Sequence, residues 1–322
     1  MKIKLSICII GILSLYLVMP VVILAAEAGE EESRILRMAL LPVPDVLPVY
    51  VAHEKGYFEE LGIEVESLPV GSAMDRDQLM QAGRVDGMIN EISGAANFNR
   101  KQIRVKIVSI ARSPIGKSPL FRLLAAPGSS LKTVADMAGV PIGVSKNTVI
   151  EYITTSLLVA GGVPPEAIRY KSVPVLPERL QLLLSGQLQA VMLPDPLGAS
   201  AMKGGAIEIV NDTTLKNVSA SVITFTDDAL VHKKDTVKKF MLAWDKACVD
   251  INSDPASFQE LMLKKIRVPK NVQKDFHVPP MPRKTLPTKA QWGDVMDWML
   301  EKNLLDQPLD YEGSVTPDFL AR

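Results

Sequence analysis

From residue 34 to residue 226 the chain alternates short apolar runs with stretches of helical spacing, and few residues separate one from the next. No other feature constrains the fold as tightly. A strand that meets a helix and then another strand so quickly needs crossover connections, and these give a mainly parallel sheet with helices on both faces. Strands are expected over 34–41, 63–66, 85–90, 105–111, 120–126, 140–144, 168–173, 190–193, 206–210 and 222–226. Helices are expected between them over 49–61, 74–82, 94–100, 133–138, 149–160, 177–184 and 195–203, several stopped by a glycine such as Gly62, Gly83 or Gly161. After Lys233 the pattern is helical, over 236–251, 255–265, 269–276 and 289–300, and the proline-rich stretch 278–287 reads as a rigid loop. Such a tail is no domain by itself; its apolar faces need the first α/β block as a partner.

Ahead of this pattern stand Met1-Lys2-Ile3-Lys4, an uncharged and mostly apolar run from Leu5 to Ala26, the triplet Ala26-Glu27-Ala28, and the polar Gly29-Glu30-Glu31-Glu32. The order is that of a secretory signal, residues 1–28, cleaved near Ala28. An uncleaved anchor competes, because about 20 apolar residues span a bilayer; Pro20 and the small-x-small triplet favour cleavage. Cys8 lies too early in the run to be a lipid-acceptor cysteine. Cleavage leaves Cys248 alone, so neither an internal disulfide nor a cysteine metal site is expected, and its place beside Trp244 in a helical pattern makes it a core residue. The 36 Lys+Arg balance the 36 Asp+Glu, and no bulk charge points to nucleic acid or a membrane surface. No second spanning segment follows, and the mature length suffices for two lobes with their own cores.

Chemistry-bearing motifs are absent. The three histidines, His53, His232 and His277, are scattered, and no HExxH, GxSxG, Walker or CxxC pattern occurs. No catalytic residue, metal ligand or cofactor is expected, and the chain is read as a binder and not an enzyme.

Three segments, in this order, resemble the nitrate-, sulfonate- and taurine-type periplasmic solute-binding proteins of ABC transporters, a group that also holds binders of thiamine-pyrimidine precursors. The first is Leu47-Pro48-Val49-Tyr50-Val51-Ala52-His53-Glu54-Lys55-Gly56-Tyr57-Phe58, followed by Gly62-Ile63-Glu64-Val65. The second is Gly83-Arg84-Val85-Asp86-Gly87. The third runs from Leu131 to Tyr152, LKTVADMAGVPIGVSKNTVIEY, and continues in LQLLLSGQLQAVMLPDP from Leu180 to Pro196. The resemblance implies a two-lobed α/β fold of the type II periplasmic binding proteins, each lobe a mainly parallel sheet flanked by helices, joined by two crossing strands. Lobe 1 would comprise 34–115 and 226–322, and lobe 2 would comprise 116–225. Hinges would lie near 113–118 and 219–228, and closure would trap ligand. The resemblance further implies a periplasmic monomer that delivers a small molecule to an ABC permease in the inner membrane. A receptor that hands its ligand to a membrane sensor is the competing role. A cytoplasmic pyrimidine-synthesising branch shares the scaffold, but its cysteine-rich segment has no counterpart here.

In parallel α/β sheets ligands lie beyond the carboxyl ends of the strands. That rule nominates the loops 42–47, 90–95, 145–148 and 194–197, and within them Asp45, Glu91, Ser93, Ser145, Asn147, Thr148 and Asp195 as ligand-binding residues. Ser145-Lys146-Asn147-Thr148 precedes a helix and offers donors to an anion or a carbonyl oxygen; equally, Asn147 or Thr148 is a simple helix cap. Asp45, Glu91 and Asp195 would surround the ligand with carboxylates, and no cluster of arginines appears in the same loops. An amine- or NH-bearing heterocycle is therefore expected, with a nitrate- or sulfonate-type anion as the alternative. Asp195, just before Pro196, also reads as a helix cap with proline at the first helical position. Tyr50, Phe98, Phe121 and Tyr152 are the aromatics nearest these loops, either stacking faces or core.

Overall fold

The computed structural model describes residues 33–321, so the expected signal at 1–28 lies outside it. Among these residues ten strands form two five-stranded sheets of identical topology. The first joins β1 (Ile35–Leu40), β2 (Glu64–Pro69), β3 (Gly87–Glu91), β4 (Val105–Arg112) and β10 (Ser221–Thr226) in the order β2-β1-β3-β10-β4. The second joins β5 (Phe121–Ala125), β6 (Pro141–Val144), β7 (Arg169–Ser172), β8 (Ala190–Pro194) and β9 (Ile207–Asn211) in the order β7-β6-β8-β5-β9.

Four strands of each sheet run the same way, as expected of mainly parallel sheets, and the one crossing strand runs against them. β1 is parallel to β2 and β3, and β6 to β7 and β8, but β10 is antiparallel to β3 and β4, and β5 to β8 and β9. The reason lies in the crossings. β5 follows a crossing from the first sheet and begins with Phe121 opposite Pro194, the last residue of β8. β10 follows the return crossing and begins with Ser221 opposite Glu91 and Arg112, the last residues of β3 and β4. Each crossing strand thus enters at the carboxyl edge of the parallel strands and has to run against them. Residues 113–120 and 212–220 therefore connect two carboxyl edges, which is where the two lobes meet.

Helices cover both faces of each sheet. On one face of the first sheet lie α1 (Leu47–Glu54), α2 (Tyr57–Glu60), α9 (Lys234–Ser253) and α10 (Gln259–Lys265), over a core that includes Leu36, Met38, Phe58, Phe225, Phe240, Trp244 and Cys248. Phe240 is its hub, with the rings of Phe58, Phe225 and Trp244 at 5.7, 5.5 and 6.3 Å. On the other face lie α3 (Ala73–Gln81), α4 (Ile92–Asn99) and α11 (Lys289–Glu301), and their core runs on into the second lobe beneath α5 (Val149–Ala160). α6 (Leu176–Leu184) and α7 (Leu197–Lys203) close the far face of the second sheet over Leu124, Leu183, Val191 and Leu193. The late helical tail is thus absorbed into the first lobe, as its apolar faces require. α8 (Asp227–His232) and α12 (Tyr311–Ser314) lie among the other described helices.

Local departures from the expected elements have local causes. The helix expected over 49–61 is two helices, broken at Gly56, whose φ of 70° lies in the left-handed region that glycine enters without penalty. The stretch 133–138 shortens to a single 3-10 turn at Ala135–Met137. Gly87, the end of the second motif, has a packing reason: a Cβ there would stand 2.7 Å from the Phe225 ring and 2.8 Å from Met38 Sδ. No described helix is long and apolar enough to cross a membrane.

Candidate ligand-binding site

The seven nominated residues all lie at carboxyl ends of strands. Asp45 follows β1, Glu91 ends β3, Ser93 stands in the first turn of α4, Ser145 to Thr148 link β6 to α5, and Asp195 follows β8. A chain of polar contacts joins the two edges. Arg112, at the end of β4, donates to Asp45 Oδ1 at 3.2 Å and to Pro119 O at 2.9 Å, and the Asp195 N–H donates to Leu120 O at 2.8 Å. Asp212, fully buried in the return crossing, accepts from the N–H groups of Leu120 and Phe121 and from the Ser219 hydroxyl, so one carboxylate pins both crossings together. Burial raises its pKa, opposed by those hydrogen bonds.

Each nominated acid carries an arginine, and none of these arginines lies in the nominated loops. Besides Arg112 on Asp45, Arg76 of α3 donates to both oxygens of Glu91 at 3.4 and 3.2 Å. Arg122 of β5 grips Asp195 with two bonds of 2.8 and 2.9 Å and also binds Glu208. Burial disfavours the charge on Arg76 and Arg122, yet their acidic partners outweigh it and both pKa values are raised. The carboxylates therefore do not stand as a bare negative ring. Asp195 is also not the cap of α7. Pro196 holds that position, after a cis Asp195–Pro196 bond, and Asp195 Oδ1 reaches past it to the Ala199 N–H at 3.1 Å.

On the second lobe Thr148 is the cap of α5, its hydroxyl accepting from the Ile150 N–H at 3.2 Å and donating to Ser145 O at 2.7 Å. Asn147 takes a left-handed φ of 61°, its side chain exposed. The helix start above them leaves the Thr148 and Val149 N–H groups without intrahelical partners, as every helix start does. Beneath the loop lies Arg179 of α6, 0% exposed. Its guanidinium donates to Val173 O at 2.8 and 2.6 Å, to Met192 O at 2.8 Å and to Ser145 Oγ at 2.5 Å, and none of its recorded bonds goes to a carboxylate. Burial lowers its pKa to about 10, so it stays charged at neutral pH. A buried cation held by carbonyls and by the Ser145 hydroxyl, which itself donates to Pro174 O at 3.4 Å, leaves positive potential beneath the loop.

Two polar groups at the first sheet's carboxyl edge lack partners among the described residues, Asn90 Nδ2 and Ser221 Oγ, at 1% and 7% residue exposure. Asn90 Oδ1 is engaged by the Thr224 hydroxyl at 2.6 Å. Ser93 is half-buried in the first turn of α4. Sequence reasoning missed Arg76, Arg112, Arg122, Arg179, Asn90 and Ser221 as site residues. A signal existed for two of the arginines: Arg179 stands on the apolar face of its helix with Leu183, and Arg122 interrupts the strand run Leu120 to Ala126. Of the nominated aromatics, Tyr152 packs edge-on against Trp298 at 5.6 Å and Tyr50 lies under Lys265 at 5.0 Å, while Phe98 and Phe121 remain half-buried. A hollow of about 440 Å³ lined by Lys234, Lys238, Leu242 and 318–321 lies in the outer helical layer, away from the strand ends.

Similarity to known proteins agrees with this arrangement. A protein of Brachyspira hyodysenteriae named as an ABC transporter periplasmic binding protein is 24% identical over 252 residues, 73% of this chain and 71% of that one. The periplasmic aliphatic sulphonate-binding protein of Escherichia coli superposes with a TM-score of 0.74 at 16% identity, over 88% of this chain and 92% of that one. The periplasmic nitrate-binding protein of Synechocystis PCC 6803 superposes with a TM-score of 0.68 at 13% identity, over 89% and 87%. The fold is thus the two-lobed one of these binding proteins. The family model described as NMT1/THI5 like matches residues 43–257, from the loop after β1 to the end of α9 and beyond, and the chain belongs to that family.

Proposed function

We propose that this chain is an exported solute-binding protein that captures a small molecule between its lobes and delivers it to an ABC permease, working in the periplasm as a monomer. The crossings that join two carboxyl edges support this reading, as do the family match and the relatives named for the same task. The boundaries that go with it are 34–115 and 221–322 for lobe 1 and 116–220 for lobe 2; the expected return at 226 moves back because β10 joins the first sheet from Ser221. Lobes that close on ligand need contacts that form across the gap. Ser200 and Asn271 exchange two bonds of 2.9 and 3.1 Å, and Lys203 pairs with Asp275 at 2.8 Å, between α7 of one lobe and the C-terminal tail of the other.

For the ligand we favour a small anion or a molecule with an anionic end, held at Ser145 to Thr148. Arg179 carries this choice: its charge has no carboxylate partner among the described residues and reaches the loop through Ser145. Asn90 Nδ2 would supply a second donor from the opposite edge. The other reading, an amine- or NH-bearing heterocycle, draws on a surplus of acids, since Asp77, Glu208 and Asp212 join the three nominated ones against Arg76, Arg112, Arg122 and Arg179. Mass spectrometry of small molecules retained by gently purified protein separates the two. An anion retained at one per chain, released unaltered, is the expected result; a retained cationic heterocycle refutes the anion assignment, and chemical turnover of the retained molecule refutes the binding role.

A further inference from the structure

The loop 145–148 is supported from two sides, and only one support comes from its own lobe. Arg179 holds Ser145 from beneath. The second support is Glu151, in the first turn of α5 and 2% exposed. Its Oε2 accepts from the Asn147 N–H at 2.6 Å, and its Oε1 accepts from Lys302 Nζ at 2.5 Å. Lys302 caps the end of α11, a helix that packs on α4 of the first lobe and touches the return crossing through Gln291 Nε2 to Asn217 O at 3.2 Å. The same end of α11 sets Trp298 against Tyr152 of α5, and Lys302 Nζ lies 5.7 Å from the centre of the Tyr170 ring.

These contacts have a common consequence. Asn147 is in the left-handed region, which asparagine enters more readily than other residues with a Cβ, and a side chain bonds its N–H in that conformation. That side chain is the buried Glu151 carboxylate, and a buried charge without a partner is costly. Its partner, Lys302, arrives from the other lobe. A carboxylate turns an oxygen to each of the two donors, whereas a neutral amide in its place would set its NH2 group against one of them.

We infer that Glu151 is a positioning residue for the ligand loop and that Lys302, reaching over from the first lobe, fixes Glu151, so that the C-terminal helix ties the loop's shape to the placement of the lobes. The inference rests on the reading of 145–148 as the ligand loop. Hydrogen exchange followed by mass spectrometry tests it on protein unfolded and refolded to remove any small molecule. In Lys302→Met, peptides covering 145–150 should exchange about tenfold faster, the factor expected from weakening one charge-assisted hydrogen bond, while peptides of α9 keep their wild-type rate. Lys302→Arg should restore the wild-type rate at 145–150. Unchanged exchange at 145–150 in Lys302→Met, a rise shared equally by α9, or no rescue by arginine overturns the inference. Should methionine at 302 prevent folding, Glu151→Gln takes its place, with the same local rise expected and its absence equally fatal. Since no ligand is present, failure of the binding role would appear elsewhere, as an absence of any retained small molecule.

Discussion

Arg179 offers the sharpest test of ligand charge, because its removal changes affinity in opposite directions for the two readings. The guanidinium lies 2.5 Å from Ser145 Oγ, so an anion bonded to that hydroxyl would stand about 5 Å from the charge, one hydrogen bond further on. At an effective dielectric of roughly 20 the attraction is about 3 kcal/mol, or roughly a hundredfold in Kd. Arg179→Gln keeps hydrogen-bonding capacity while deleting the charge. It also leaves carbonyls of Val173 and Met192 partly unsatisfied, at about 1–3 kcal/mol each, offset in part because the buried charge no longer has to be desolvated. The assay is calorimetric titration with the small molecule recovered from the wild-type protein, beside thermal unfolding of both proteins. An anion should bind roughly a hundredfold more weakly to Arg179→Gln, and the difference should shrink little with salt, since a buried charge is poorly screened. A cationic molecule should bind more tightly. An anion that binds both proteins equally well would refute the reasoning, because the buried charge would then have no influence on the loop.

Four further outcomes follow from the same geometry. Asp195→Asn should lower stability by about 3 kcal/mol, since Arg122 loses its bidentate partner in a buried site; denaturant titration measures it, and an unchanged midpoint would show the pair to be dispensable. Gly87→Ala should cost about 1–3 kcal/mol through the clash with Phe225 and Met38, visible as a lower Tm with ligand retention preserved. Phe240→Ala removes the hub of an aromatic cluster and should cost about 3–5 kcal/mol in the same titration. Burial, before any other cause, raises the phenols of Tyr57, Tyr152 and Tyr170 to about 12, against about 10 in the unfolded chain. A raised folded pKa gives stability that is whole below pH 10 and lost as the pH climbs to 12. Arg179, lowered to about 10, works the other way over that window, but it is one group against three phenols and the buried Cys248 thiol, which burial also raises, so stability falls on balance. Urea midpoints at pH 9 and 11.5 check the sign.

Local periodicity made much of the fold legible. Burial on both faces of β1 and the helical stripe of α5 are written in residues a few positions apart, and the glycines at 62, 83 and 161 mark turns that a reader of the chain can find. The break at Gly56 was less visible, because apolar residues keep helical spacing on either side of it. The candidate loops followed from one rule about strand ends. Their electrostatics did not, because each acid's partner is remote in the chain: 15 residues for Arg76 and Glu91, 67 for Asp45 and Arg112, 73 for Arg122 and Asp195.

The sequence alone therefore determined the order of elements, the loops at the strand ends that are candidates for the site, and the core identity of Cys248, since these depend on neighbours within a turn or two. Tertiary structure decided the rest. Strand direction in each sheet depends on which edge a crossing chain enters, and no local pattern records that. The charge at the site is set by arginines delivered from other elements, and Arg179 without a carboxylate, or Glu151 bridged by Lys302 from 151 positions away, exists only once the two lobes are packed. Coulomb energy acts through space, whereas hydrophobic periodicity is written along the chain.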